Sequence, residues 1–158
     1  MTTEFEVVGE KELMALHEAA HLVVAVVHGH KVYATVKEEE FTSVTGEKMK
    51  SGGRTAFVGE MSAEELVEVY LSGYMMETVF VTQPAEEALA SAKEDMAMVR
   101  ELEEELHLTT MESYKLEKRA AQRVKKILSE RFVTVRRVAK VLLTEGEVTL
   151  TPETLDYV

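Results

Sequence analysis

Two histidines stand four residues apart in the segment His17-Glu18-Ala19-Ala20-His21. On a helix, such positions lie about 40° apart around the axis and one turn along it, so both imidazoles can reach one metal ion from the same side. Glu18 sits one step round and can reach a water on that ion without being a ligand. This pattern builds the zinc site of many metallopeptidases, with the glutamate as general base. The chemistry expected is attack of an activated water on a scissile carbonyl. Zinc lowers the pKa of a bound water towards about 7, Glu18 accepts the proton and can pass it to the leaving amine, and the ion stabilises the developing oxyanion. The bland alternative is a pair of histidines satisfied inside a helical core, with Glu18 in solvent. Unpaired polar groups on or beside an apolar face are costly, which weighs against it.

A catalytic zinc ion takes three protein ligands and keeps one position open. The chain has no cysteine, so the third ligand is His, Asp or Glu. Candidates are Asp95, Glu77, His28, His30 and His107. Asp95 is one of only two aspartates, with Asp156, and falls near the start of a helix, where a short carboxylate can point across a cleft. Its alternative reading is a residue complementing the helix dipole. Glu77 lies beside an apolar helical stripe, so it is expected to point inward as a ligand or as an acceptor orienting a histidine ring. His28, His30 and His107 fall at helix ends, where they are expected to cap carbonyls. Spacing alone divides the third ligand between Asp95 and Glu77.

The elements that must position these groups can be read along the chain. A helix is predicted over residues 10–28, with Gly29 just past its end. Leu13, Leu16, Ala20, Val23, Val24 and Val27 recur at helical spacing as its buried face. Residues 31–36 alternate as a strand, 37–53 are polar and read as a loop, and 54–58 form a second short strand. Ser62-Ala-Glu-Glu65 is a capping box opening a helix whose inner stripe is Leu66, Val69, Gly73, Met76 and Phe80. Pro84 suits the first turn of the next helical stretch. Ser91-Ala-Lys-Glu94 reads as another capping box, for a helix through Leu106. A basic helix is predicted over 111–132, another over 134–144, and a short one after Thr151-Pro152-Glu153. The fold class expected is mainly α with a small β element, built around the helix that carries the two histidines.

Three segments, in order, resemble the peptidase domain of the FtsH family of ATP-dependent zinc metalloproteases (peptidase family M41). Leu16-His17-Glu18-Ala19-Ala20-His21 is similar to that family's H-E-A-G-H helix. Leu71-Ser72-Gly73-Tyr74-Met75-Met76-Glu77 resembles its L-G-G-R-A-A-E helix. Ser91-Ala92-Lys93-Glu94-Asp95-Met96 resembles its G-A-x-N-D-L segment, whose aspartate is the third zinc ligand. The ending, Leu142-Leu143 to Glu153-Thr154-Leu155, is weakly similar to the family's last helix and E-T-L. The resemblance implies a mainly helical fold, zinc on His17, His21 and Asp95, and Glu18 activating water, with Glu77 left as a candidate partner of a ligand. Ala20 replaces a glycine, Tyr74, Met75 and Met76 replace a basic and two small residues, and Glu94 replaces an asparagine. No G-x-x-x-x-G-K-[ST] loop is present, so the expectation is a free-standing relative of the peptidase half.

The 158 residues fit one domain, 1–158. The net charge of −11 argues against nucleic acid and anionic membranes as partners. The longest apolar stretch, residues 22–27, is far short of the roughly 20 residues a span needs, and the acidic N-terminus is unlike a signal peptide. A cytoplasmic protein without a membrane span is therefore expected. The function expected is hydrolysis of peptide bonds in peptides or flexible, unfolded protein segments. A stable fold exposes few such bonds, so a separate unfoldase could deliver other substrates. Substrate could add as a strand along 31–36 or 54–58. A homo-oligomer is compatible with the family. Two other classes remain: a catalytically degenerate zinc-binding relative acting as a regulatory or interaction module, and a metal-free helical interaction protein. The second would use the basic face of residues 111–132, with Lys115, Lys118, Arg119, Arg123, Lys125 and Lys126. A solvated face is the bland reading of that run.

Overall fold

A computed structural model describes residues 10–42, 48–58, 60–80 and 90–157. In chain order the elements are α1 (Glu10–Val27), β1 (Lys31–Thr42), β2 (Lys48–Val58) and α2 (Ala63–Met75), whose last turn widens into a π-helical turn (Met76–Phe80). There follow α3 (Ala90–Glu105), α4 (Thr110–Glu130), α5 (Phe132–Glu145), β3 (Glu147–Leu150) and a 3-10 turn (Leu155–Tyr157). The fold is mainly helical with a small antiparallel sheet, as expected.

The first helix is more deeply placed than one apolar face would suggest. Every residue from Leu13 to Val26 is buried, and Val27, expected in the core, is exposed. A helix that is apolar nearly all round must be covered on all sides. Packing from α2, α5 and the β1–β2 hairpin covers α1, with smaller contacts from α4. It ends as expected: Gly29 adopts φ 93°, its N–H bonds to Val26 O at 2.9 Å, and His30 N–H bonds to Ala25 O at 3.1 Å. This Schellman cap needs a left-handed residue that glycine supplies without strain.

The sheet departs from expectation. Its order is β2-β1-β3, antiparallel throughout. The polar stretch expected as a loop instead extends both strands, β1 to Thr42 and β2 back to Lys48, with an irregularity between Glu38 and Phe41. Backbone hydrogen bonds alone can continue a hairpin past its buried base, so side-chain polarity does not end it. The third strand was not foreseen. Leu150 pairs with Val32, and both are fully buried with Ala34, so β3 fastens the chain end to the core. Because β1 is paired on both sides, Val32 to Thr35 has no edge for an added strand. Among the described residues, the outer edge of β2 pairs with no further strand.

The later helices follow their capping chemistry. Ser62 and Glu65 make the reciprocal capping box on α2. A second box, Thr109 with Glu112, starts α4 and was not anticipated. Ala90 already lies within α3, so Ser91 falls inside the helix rather than before it. Pro84 lies outside the described residues. His107 adopts φ 54°, closing α3 with bonds from its own N–H to Glu104 O and from Leu108 N–H to Glu103 O. Gly146, with φ 79°, ends α5, and Thr151 opens a turn and a 3-10 segment rather than an α-helix.

Candidate metal centre

The site lies between α1 and α2 and is closed by α3. His17 and His21 are 1% and 5% exposed, with ring centroids 4.5 Å apart and ring planes perpendicular. The Nδ1 of His17 meets Glu77 Oε2 at 2.5 Å. The Nδ1 of His21 meets Val69 O at 2.6 Å, with Ser72 Oγ at 3.2 Å. A carboxylate and a carbonyl can only accept, so both Nδ1 atoms donate. That fixes the tautomer of each neutral ring and leaves both Nε2 lone pairs pointing inward.

These lone pairs converge. The two Nε2 atoms are 2.9 Å apart, and Asp95 Oδ2 lies 2.6 Å from one and 2.8 Å from the other. Three electron-pair donors thus face one point. A positive charge at that point, carried by a proton on a ring or by a metal ion, supplies the attraction that holds the three atoms together. An ion with bonds of about 2.0–2.1 Å holds tetrahedral ligands about 3.3 Å apart, so binding would widen the triangle by about half an ångström. Two imidazoles and one carboxylate fit zinc with an open fourth position; iron, cobalt or manganese use the same donors. The donor set therefore fits the ion that the sequence pattern suggests.

Electrostatics point the same way. Burial works to discharge His17, but Asp95 and then Glu77 outweigh it and raise its pKa well above the usual value. His21 is likewise raised: burial opposes the charge, Asp95 favours it, and the His17 charge opposes it. Burial would raise Asp95, yet His21 and His17 hold it well below the ordinary carboxylate range. The pocket favours positive charge at its centre, whether carried by protons or by a metal.

Glu18 also belongs to the cluster, since one donor atom each from His17, Glu18 and His21 lies within 4.8 Å of the others. Its carboxylate is 4.0 Å from His17 Nε2, against 2.6 Å for Asp95. Asp95 is thus the nearer carboxylate to His17 Nε2, and Glu18 stands further off.

Gly73 makes the convergence sterically possible. A Cβ there would come within 2.5 Å of His17 Cε1, 2.6 Å of His17 Nε2 and 2.7 Å of His21 Cε1. The glycine, visible in the sequence only as one position of an apolar stripe, is where α2 approaches both rings. Three residues later α2 widens into its π-turn. Such a turn shifts the following side chains around the helix, and Glu77 is its second residue.

The other histidines lie elsewhere. His28 Nε2 bonds to Glu68 Oε1 at 3.0 Å, and His30 Nε2 to Glu65 Oε2 at 2.7 Å. They tie the end of α1 to α2 rather than capping carbonyls, which corrects that expectation. Glu68 is fully buried and also receives Arg123 at 3.1 Å from α4. The Val69 carbonyl, Ser72 and Gly73 were missed as site groups; backbone oxygens and glycines give no type-specific signal. No family model matches the chain, and no curated protein is detectably similar to it. Among the described residues, no helix is long and apolar enough to cross a membrane.

Proposed function

We propose that the protein is a zinc-dependent metallopeptidase resembling the peptidase half of the FtsH family. The observation that carries this reading is the meeting of His17 Nε2, His21 Nε2 and Asp95 Oδ2 at one point, with both Nδ1 atoms held by acceptors. His17, His21 and Asp95 would hold the ion. Bound there, zinc supplies a Lewis acid and acidifies a water.

The remaining chemistry belongs to the chain. Glu18, fixed on the same helix turn as both histidines, takes the proton of the attacking water and returns it to the leaving amine. Glu77 and the Val69 carbonyl hold the two rings in one orientation throughout. The outer edge of β2 is the surface along which an extended peptide would add, giving affinity through main-chain hydrogen bonds without sequence demands. The substrates are peptides and flexible protein segments.

The test is metal content and turnover in three proteins. Wild type should retain about one zinc per chain after dialysis and cleave an unstructured protein such as casein. Asp95→Ala should lose the metal. Glu18→Gln should keep the metal and lose hydrolysis by at least about a hundredfold. Metal retention with no cleavage by wild type would leave a zinc-binding module rather than an enzyme. Absence of metal affinity in wild type would end the reading altogether.

A further inference from the structure

The charge of the chain is unevenly distributed. Residues 110–145, spanning α4 and α5, hold ten basic and four acidic side chains, a net +6, so the other residues carry −17 of the total −11. Part of the basic set serves the fold: Arg123 reaches Glu68, and Arg119 lies 3.7 Å from Glu64. Two of the α5 cations differ. Arg137 and Lys140 are exposed, and neither has an ion-pair partner among the described residues.

These two side chains stand on the rim of a cleft of about 340 Å³ between α5 and α1. Its walls include Leu16, Val133 and Leu143, with Arg136 and Glu12 also on the rim. Val133 is 61% exposed, an aliphatic side chain at the open mouth of an apolar trough. Residues 133, 136, 137, 140 and 143 fall on one face of α5, over about 15 Å of helix. The trough is therefore long and open, whereas a small-molecule pocket encloses most of its ligand.

We propose that this cleft docks an acidic amphipathic segment of a partner protein. One or two aliphatic side chains would enter between Leu16, Val133 and Leu143, and flanking Asp or Glu residues would pair with Arg137 and Lys140. Apolar anchors set the affinity and the cationic rim sets the sign of the partner. The cleft walls include Leu16, the residue before His17, so the partner seats against the helix that carries the site. Binding itself does not depend on the metal reading.

The experiment uses the full chain and a fluorescein-labelled synthetic helix, with leucines at i, i+3 and i+4 spacing and glutamates between them, read by anisotropy. Saturable binding that weakens with salt is expected, and a lysine-for-glutamate version of the helix should not bind. The variant R137E/K140E should weaken binding about tenfold or more, as two attractions become repulsions. Val133→Asp should weaken it comparably. Lys125→Glu/Lys126→Glu on α4 should change it less than about twofold, since nonspecific attraction would respond equally to both pairs. All positions are exposed, and circular dichroism checks that each variant is folded; should the double variant fail to fold, K140E alone carries the test. Equal binding to wild type and R137E/K140E, or no binding at up to about 1 mM peptide, overturns the proposal. So does concentration-dependent self-association that R137E/K140E abolishes, because a second copy would then occupy the cleft.

Discussion

Gly73→Ala is the sharpest single perturbation of the candidate site. The added carbon would sit 2.5 to 2.7 Å from atoms of both histidine rings, where ordinary carbon contacts are about 3.5–4.0 Å. Either the rings retreat by about 1 Å or α2 lifts away from α1. The rings are poorly able to retreat, since Glu77 holds one at 2.5 Å and Val69 O holds the other at 2.6 Å. Overpacking of this kind costs about 1–3 kcal/mol, partly offset by about 1 kcal/mol of better helix propensity. The apo protein should therefore lose about 0–2 kcal/mol. Metal affinity should fall further, by about 10–100-fold, as when ligand-orienting partners are lost. At zinc one hundredfold above the wild-type Kd, wild type gains about 2.7 kcal/mol from the ion. A thirtyfold weaker site at the same zinc concentration gains about 0.9 kcal/mol. For a domain of this size the zinc-induced rise in Tm should shrink by about 4–7 °C. Thermal melts with and without zinc, beside a chelator competition, measure both quantities. A Gly73→Ala protein with wild-type zinc affinity would refute the claim that these rings meet where the metal binds.

Other outcomes follow from neighbouring contacts. Glu77→Ala leaves the buried His17 Nδ1 donor unpaired, so it should cost about 1–3 kcal/mol in urea unfolding and weaken zinc about 10–100-fold. Arg123→Met should destabilise by about 1–3 kcal/mol, because among the described residues the fully buried Glu68 then keeps His28 alone as a side-chain partner; adding Glu68→Gln should restore part of that loss, measured as a double-mutant cycle. Burial, and then the neighbouring Glu117, push Glu103 from its ordinary 4.5 up to about 7. The folded state thus keeps a proton that the unfolded chain releases, and this contribution to stability is present in full below about pH 4.5 and lost as pH rises towards 7. Glu103→Gln should flatten that part of the Tm-against-pH curve, and an unchanged slope would count against the pairing.

The helical framework was legible because its signals are local. The Ser62 capping box, Gly29 beyond α1 and the 3.6-residue spacing each depend on neighbours in sequence. The juxtaposition of His17 with His21 is likewise local, and Glu77 beside the apolar stripe hinted at its inward direction. What could not be read depends on contacts between distant segments. The burial of α1 on every side needed the hairpin and α5 to be in place. The third strand, four residues long, has too short an alternation to stand out. His28 and His30 looked like caps until α2 brought Glu68 and Glu65 to them. Asp95 had no spacing rule to set it above Glu77, and the family resemblance alone favoured it before the structure brought it to both rings.

The two sides of the cluster are anchored unequally. The histidines grow from the most enclosed helix, packed by α2, α5 and the hairpin, whereas Asp95 arrives on α3, which leans mainly on α2 with a smaller contact to β2. Amides around His17 should exchange with solvent only when the whole domain opens, while those of α3 can exchange through smaller local openings. Any traffic through the centre, of ion or of peptide, would then pass by a brief withdrawal of α3, with the paired imidazoles holding still behind it.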